Sequence, residues 1–282
     1  MTQPGHTPAE AWDSHAHVIE SPLRYPLLPE RGYDPPQAPL EAYLGILDRV
    51  GLERGVLVQP SVYGFDNRCL VDALQRAEGR LIGVAVPAPD SGGQALEALH
   101  RQGVRGVRCN LLNSGGLTPD AVERWQPVLR DLGWHVAIQF RVAEVGDLHS
   151  FLDRFEVPVV IDHMGRPHPG RGDPSEPGLR QLIEAVRDGA CFVKLSAPYR
   201  LSARAAPWSD VTPLARALIR ANPAACLWAT DWPHTDTPAG IREDDLLGAL
   251  DEWCAPDPGG TADPGVKETI LRAVPGKLFG GE

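Results

Sequence analysis

Nothing in the 282 residues suggests a disulfide framework or a cysteine-ligated metal. Cys69, Cys109, Cys191, Cys226 and Cys254 are an odd set without a C-x-x-C spacing. Cys109, Cys191 and Cys226 lie in apolar runs and read as small core residues. A basic excess is also missing. The formal net charge of -10 argues against general attraction to nucleic acid or to an anionic membrane, both of which are polyanions. No apolar run is long enough to span a bilayer and no charged-then-apolar signal segment opens the chain, so a reducing cytoplasm is the expected compartment. No G-x-G-x-x-G follows the first apolar run, which weakens a dinucleotide-binding sheet. No linker divides the chain, so residues 1–282 read as one domain, with 1–10 a polar, flexible tail. The sequence leaves a homo-oligomer open.

What the chain does have is enough apolar material, 43% of residues, to bury the core of one α/β barrel or of two smaller domains. Short apolar runs alternate with segments of helical spacing. Strands are expected at 11–19, 55–59, 80–86, 104–110, 134–140, 157–163, 191–196 and 226–231. Helices are expected at 40–50, 66–78, 94–102, 120–132, 145–155, 179–187, 211–220 and 244–253, with a closing helix at 267–274. The stretch from Ser21 to Pro39 carries six prolines, which forbids a regular helix and predicts a long loop over the first strand's end. Eight strands in this alternation predict a single (β/α)8 barrel, an open doubly wound sheet being the rival.

Three of the runs end in side chains that bind metals or move protons. Asp13-Ser14-His15-Ala16-His17 places two histidines on one face of a strand, because strand side chains alternate. Val157 to Ile161 leads into Asp162-His163, and Cys226 to Thr230 leads into Asp231. In a barrel all strands end at one mouth, so His15, His17, His163 and Asp231 would converge there. Asp162 precedes His163 by one residue and is expected on the opposite side of the strand, away from the interior. His234, beside the acid, would orient the base, bind substrate, or be a plain loop residue. Trp12, Trp134, Trp228 and Trp232 read as packing or cavity walls, since no basic stripe accompanies them.

These motifs, with Val160-Ile161-Asp162-His163-Met164-Gly165-Arg166-Pro167, Trp228-Ala229-Thr230-Asp231-Trp232-Pro233-His234 and Gly106-Val107-Arg108-Cys109-Asn110, resemble the amidohydrolase superfamily. Within it they are most similar to the 2-pyrone-4,6-dicarboxylate lactonase and sugar-lactonase branch. The resemblance runs from Trp12 to about Phe279. It implies that His15, His17 and His163 are the superfamily's strand histidines and that Asp231 activates water. It also implies that Arg166 and Arg108 hold a substrate carboxylate or carbonyl, and that Tyr33, Ser61 and Gln139 contact substrate. Gln139 stands where the pyrone lactonase has a tyrosine and Ser114 where it has another arginine, so the pyrone dicarboxylate itself is not the expected substrate.

The resemblance leaves the metal open between two states. A two-metal site would need a bridging carboxylated lysine where Gln139 stands and a histidine within Val193-Lys194-Leu195-Ser196-Ala197. A single zinc or manganese could sit on His15, His17, His163 and Asp231. Without metal, the same histidines would donate hydrogen bonds to the substrate. The expected activity is hydrolysis of a small, carboxylate-bearing lactone. The alternatives are a metal-dependent decarboxylase, a hydrolase of another cyclic ester or amide, and a non-catalytic binding protein, which would be expected to lack the acid.

Overall fold

The computed structural model describes residues 7–113, 116–237, 240–256 and 263–280. Its strands are β1 (Trp12–Ala16), β2 (Arg54–Val58), β3 (Leu81–Ala85), β4 (Val104–Asn110), β5 (His135–Gln139), β6 (Val159–Ile161), β7 (Phe192–Ser196) and β8 (Cys226–Ala229). Each is parallel to the next in one sheet. The sheet closes on itself just past the strand ends, where the Asp231 N–H donates to His15 O at 2.9 Å and the His17 N–H donates to Trp232 O at 2.7 Å. Around the barrel run α1 (Leu40–Val50), α2 (Arg68–Arg76), α3 (Gly93–Arg101), α4 (Pro119–Glu123), α5 (Gln126–Asp131), α6 (Leu148–Leu152), α7 (Pro177–Arg187), α8 (Pro198–Leu201), α9 (Thr212–Ala221) and α10 (Glu243–Cys254). The chain ends in α11 (Pro264–Glu268), a π-helical turn (Thr269–Ala273) and α12 (Val274–Phe279). The expected (β/α)8 barrel is what forms.

Helix α1 shows how the sequence builds the outer layer. Leu40, Tyr43, Leu47 and Val50 recur at helical spacing and are the residues it buries. Gly51, at φ 73°, then ends it in the left-handed conformation. The core has two compartments. One lies between sheet and helices; the other fills the barrel floor with Trp12, Val56, Val58, Ile82, Val84, Ala137, Val160 and Leu227, plugged from below by Val274 and Phe279.

Several expected elements differ in detail. The helix expected over 120–132 splits into α4 and α5, because Pro127 has no N–H for a bond back to Glu123 and its ring crowds that turn. The strand expected to run to His163 stops at Ile161, and the helix expected at 145–155 shrinks to α6, whose N-terminus is capped by the Asp147 side chain. The single tail helix becomes the three-part segment from Pro264 to Phe279. Of the tail, residues 1–6 lie outside the described residues, while Thr7 donates its hydroxyl hydrogen to Val50 O at 3.2 Å. Among the described residues no helix is long and apolar enough to cross a membrane.

Candidate active site

The two histidines of β1 reach the mouth because the strand is not regular. Asp13 pairs with Gly55 and Ala16 with Leu57, three residues of β1 against two of β2, which is a one-residue bulge. The bulge resets the alternation. Trp12 points into the barrel floor, Asp13 outward, and His15 and His17 inward again. Asp13, fully buried, then acts as a clasp. It accepts from the Thr230 N–H at 2.9 Å, from the Thr230 hydroxyl at 2.5 Å and from the Tyr43 hydroxyl at 3.1 Å, which fixes the end of β8 beside β1.

His163 arrives by a different route. Val160 faces the barrel interior, so by alternation Asp162 does too, and the expectation that it points away is corrected. His163 enters over the strand end through consecutive left-handed residues, with φ of 53° at His163, 51° at Met164, 72° at Gly165 and 51° at Arg166. Such backbone is costly for residues other than glycine and is held only where the surroundings over-determine it. Asp231, at φ 58°, is a second inward group on left-handed backbone.

The side chains meet closely. The Nε2 atoms of His15, His17 and His163 lie 3.7, 3.8 and 3.8 Å from one oxygen of Asp231, Oδ1, and those of His15 and His17 are 3.3 Å apart. The separations to Oδ1 are too long for hydrogen bonds. They suit co-ligands of one ion, since ligands about 2.0–2.2 Å from a tetrahedral centre lie roughly 3.3–3.6 Å from one another. The tautomer of His17 agrees with that reading. The Nδ1 of His17 is 2.7 Å from the carbonyl of Val58, which can only accept, so Nδ1 carries the hydrogen and Nε2 presents a lone pair to the cavity. His163 Nδ1 is 2.8 Å from the Ser196 hydroxyl. Among the described residues His15, His17 and Asp231 offer ligand atoms within 4.8 Å of one another, as do His15, Asp162 and His163, so the cluster has the donor chemistry of a divalent-ion site.

The second oxygen of Asp231 is held from the other side by residues that sequence reasoning missed. The Tyr199 hydroxyl donates to Oδ2 at 2.7 Å and the Arg200 Nε donates at 2.9 Å. Burial alone would raise the Asp231 carboxyl, but the Arg200 guanidinium and the facing histidines hold it well below the usual carboxylate range. Beneath the histidines lies a further unexpected pair, Lys194 of β7 and Asp162, with Nζ and Oδ1 3.0 Å apart and both side chains fully buried. Lys194 Nζ is also 3.1 Å from His15 Nδ1.

Above this floor opens a cavity of about 200 Å³. Its walls include Tyr33, Ser61, Arg108, Gln139 and Arg166, all expected at the site, together with His17, His163 and Asp231. Arg141 and Arg200 also line it, and neither was expected. His15 lies just beneath. His234 does not line this cavity; it stands behind Tyr199, 3.2 Å from its hydroxyl, and 3.3 Å from Glu243. Ser114 falls outside the described residues. Arg108 donates to Gln59 O at 3.1 Å and to Gln139 Oε1 at 2.5 Å, so Gln139 orients an arginine as well as facing the cavity.

The histidines also couple the fold to pH. Burial pushes His17 and His163 down to about 4, His135 to about 3 and His15 well below its ordinary 6.5. Unfolded, each would take its proton near 6.5, so between pH 6.5 and about 4 the unfolded chain holds more protons and stability falls as pH falls. Asp13, raised by burial to about 6, works in the opposite sense between 3.8 and 6, one group against four. The urea midpoint should therefore be level above pH 6.5 and drop steadily towards pH 4. A midpoint unchanged from pH 7 to pH 5 would contradict this assignment.

The comparisons with known proteins agree with this fold. The amidohydrolase family model matches residues 12–281. The 4-sulfomuconolactone hydrolase of Rhizobium radiobacter is 35% identical over 284 residues, covering 97% of this chain and 91% of that protein. The 2-pyrone-4,6-dicarboxylate hydrolase of Comamonas testosteroni is 35% identical over 250 residues, covering 85% of this chain and 82% of that protein. A crystal structure of a probable 2-pyrone-4,6-dicarboxylic acid hydrolase from Acinetobacter baumannii, with citric acid bound, superposes with a TM-score of 0.81 at 27% identity, covering 96% of this chain and 99% of that one. A barrel with this strand order, a histidine and aspartate cluster at its mouth and a family match over nearly its whole length together make the chain a hydrolase that belongs to the amidohydrolase family.

Proposed function

We propose that this hydrolase opens the ring of a small lactone bearing an acidic group, with Asp231 as the general base. The observation that carries the reading is the placement of one carboxylate among three imidazoles at the base of an arginine-lined cavity. The lactone hydrolases among its relatives support the substrate class.

In this mechanism Arg166, with its planar fork, holds the substrate's carboxylate and fixes the ester carbonyl above Asp231. The Asp231 carboxylate removes a proton from water as the water oxygen bonds to the carbonyl carbon. The positive potential of the surrounding guanidiniums favours the oxyanion that forms. Collapse breaks the ring C–O bond, and the proton on Asp231 passes to the departing alkoxide, so the product is a hydroxy acid and the base is restored. Tyr199 and Arg200 keep Asp231 ionised and aimed. Their pull also weakens it as a base, and an anionic substrate beside the arginines offsets that pull at the moment the base is needed.

One zinc or manganese ion, held by His15, His17, His163 and Asp231, would polarise the carbonyl and acidify water. The lone pair that His17 turns to the cavity favours this over the metal-free alternative, in which His17 would have to donate. A decarboxylase is less well served, because the strand position that would carry an extra histidine holds Ser196, whose hydroxyl is at His163. Five free cysteines, four of them buried, suit the cytoplasm as compartment.

The test is a panel of acidic and neutral lactones followed by proton release, beside elemental analysis of the purified protein. Ring opening of acidic lactones, lost on chelation and restored by zinc or manganese, is the expected result. Activity confined to decarboxylation would overturn the function, and full activity of a metal-free protein would overturn the metal.

A further inference from the structure

Four arginines line the cavity, and they are not in equivalent states. Arg108 is committed to Gln59 and Gln139, and Arg200 to Asp231 and to the Thr235 carbonyl at 2.6 Å. Arg166 reaches the Arg200 carbonyl through Nη1 at 3.2 Å, but its Nε is buried without a partner. Arg141 is two residues beyond Gln139, so the alternation of β5 carries it to the same mouth. Its Nε is 3.6 Å from the exposed Glu144, while its Nη1 is buried without a partner. A buried N–H left unpaired costs about 1–3 kcal/mol. The charge count points the same way. Among the cavity's lining residues four guanidiniums face two carboxylates, Asp231 and the exposed Asp236, so positive charge is left over for an anionic ligand.

We infer that Arg141 binds a second acidic group of the substrate, separate from the one on Arg166, so that the site prefers lactones with two acidic substituents over those with one. The inference rests on the lactone reading for its substrate, but binding can be measured without turnover. Benzoate and benzene-1,3-dicarboxylate serve as flat, non-hydrolysable probes in calorimetric titrations of the purified protein.

The wild type should bind the dicarboxylate tighter than benzoate by about tenfold or more, the worth of one charge-assisted contact. Arg141→Met should remove most of that preference, and Arg141→Lys should recover part of it, since a lysine keeps the charge but not the fork. If Arg141→Met keeps the wild-type preference, or the wild type shows none, the inference is wrong. If the preference behaves as stated but no lactone is hydrolysed, the second anion site stands and the proposed reaction falls.

Discussion

Asp231→Asn should lower kcat on an acidic lactone by a factor on the order of 10²–10⁴ while the protein stays folded and still binds the substrate. The amide keeps the size of the carboxylate and an oxygen for Tyr199 and Arg200, so what is removed is the basicity of Oδ1. Asp162→Asn makes a telling comparison, because both acids are buried and both lie near His15. Asp162 neutralises Lys194, whose side chain has no access to water, and breaking such a pair costs about 3–5 kcal/mol. The two variants should thus separate. Both should lose some melting temperature, since Asp231 in turn neutralises the nearly buried Arg200, but only Asp231→Asn should lose turnover in the protein that remains folded. Near wild-type kcat in the Asp231 variant would remove Asp231 from the mechanism.

The second large effect concerns recognition. Arg166→Lys should reduce kcat/KM on acidic lactones by about 10- to 100-fold, and on neutral lactones by much less. Arg166 sits on a left-handed residue of the turn that carries His163, packed against Arg200 and Arg141, and its guanidinium is pushed down to about 10 by burial and those two neighbours. A carboxylate would relieve that crowding of positive charge. A lysine would supply the charge as a single point and lose the paired hydrogen bonds. Equal losses on acidic and neutral lactones would mean that Arg166 shapes the turn and does not select the substrate.

Much of this was legible in the sequence because it depends on local pattern. Strand order and the convergence of His15, His17, His163 and Asp231 follow from apolar runs ending in polar residues, and a parallel barrel brings those ends together wherever they fall in the chain. What was misread depends on strand register. Counting back from His163 put Asp162 outside, whereas the interior set runs through Val160 and Asp162, and His163 reaches the mouth only by leaving the strand. The bulge at Asp13 to Ala16 is equally invisible to a regular alternation, but it leaves His15 and His17, two residues apart, together on the inward face.

Arg141, Tyr199 and Arg200 were missed for another reason. They lie just past the ends of β5 and β7, Arg141 in the connection after β5 and Tyr199 and Arg200 in the short α8, and only their position relative to the strand ends marks them. Lys194 had a usable signal, a lone cation inside the apolar run Phe192–Ser196, since a buried lysine requires a partner.

The central claim is that water, deprotonated by Asp231, attacks the lactone carbonyl directly. A single turnover in oxygen-18 water, with enzyme in excess and both product and residue 231 examined by mass spectrometry, tests it most directly. The account predicts labelled oxygen in the new carboxylate of the product and none in the Asp231 side chain. Unlabelled product with the label left in Asp231 would contradict it, because the aspartate would then have attacked the carbonyl itself.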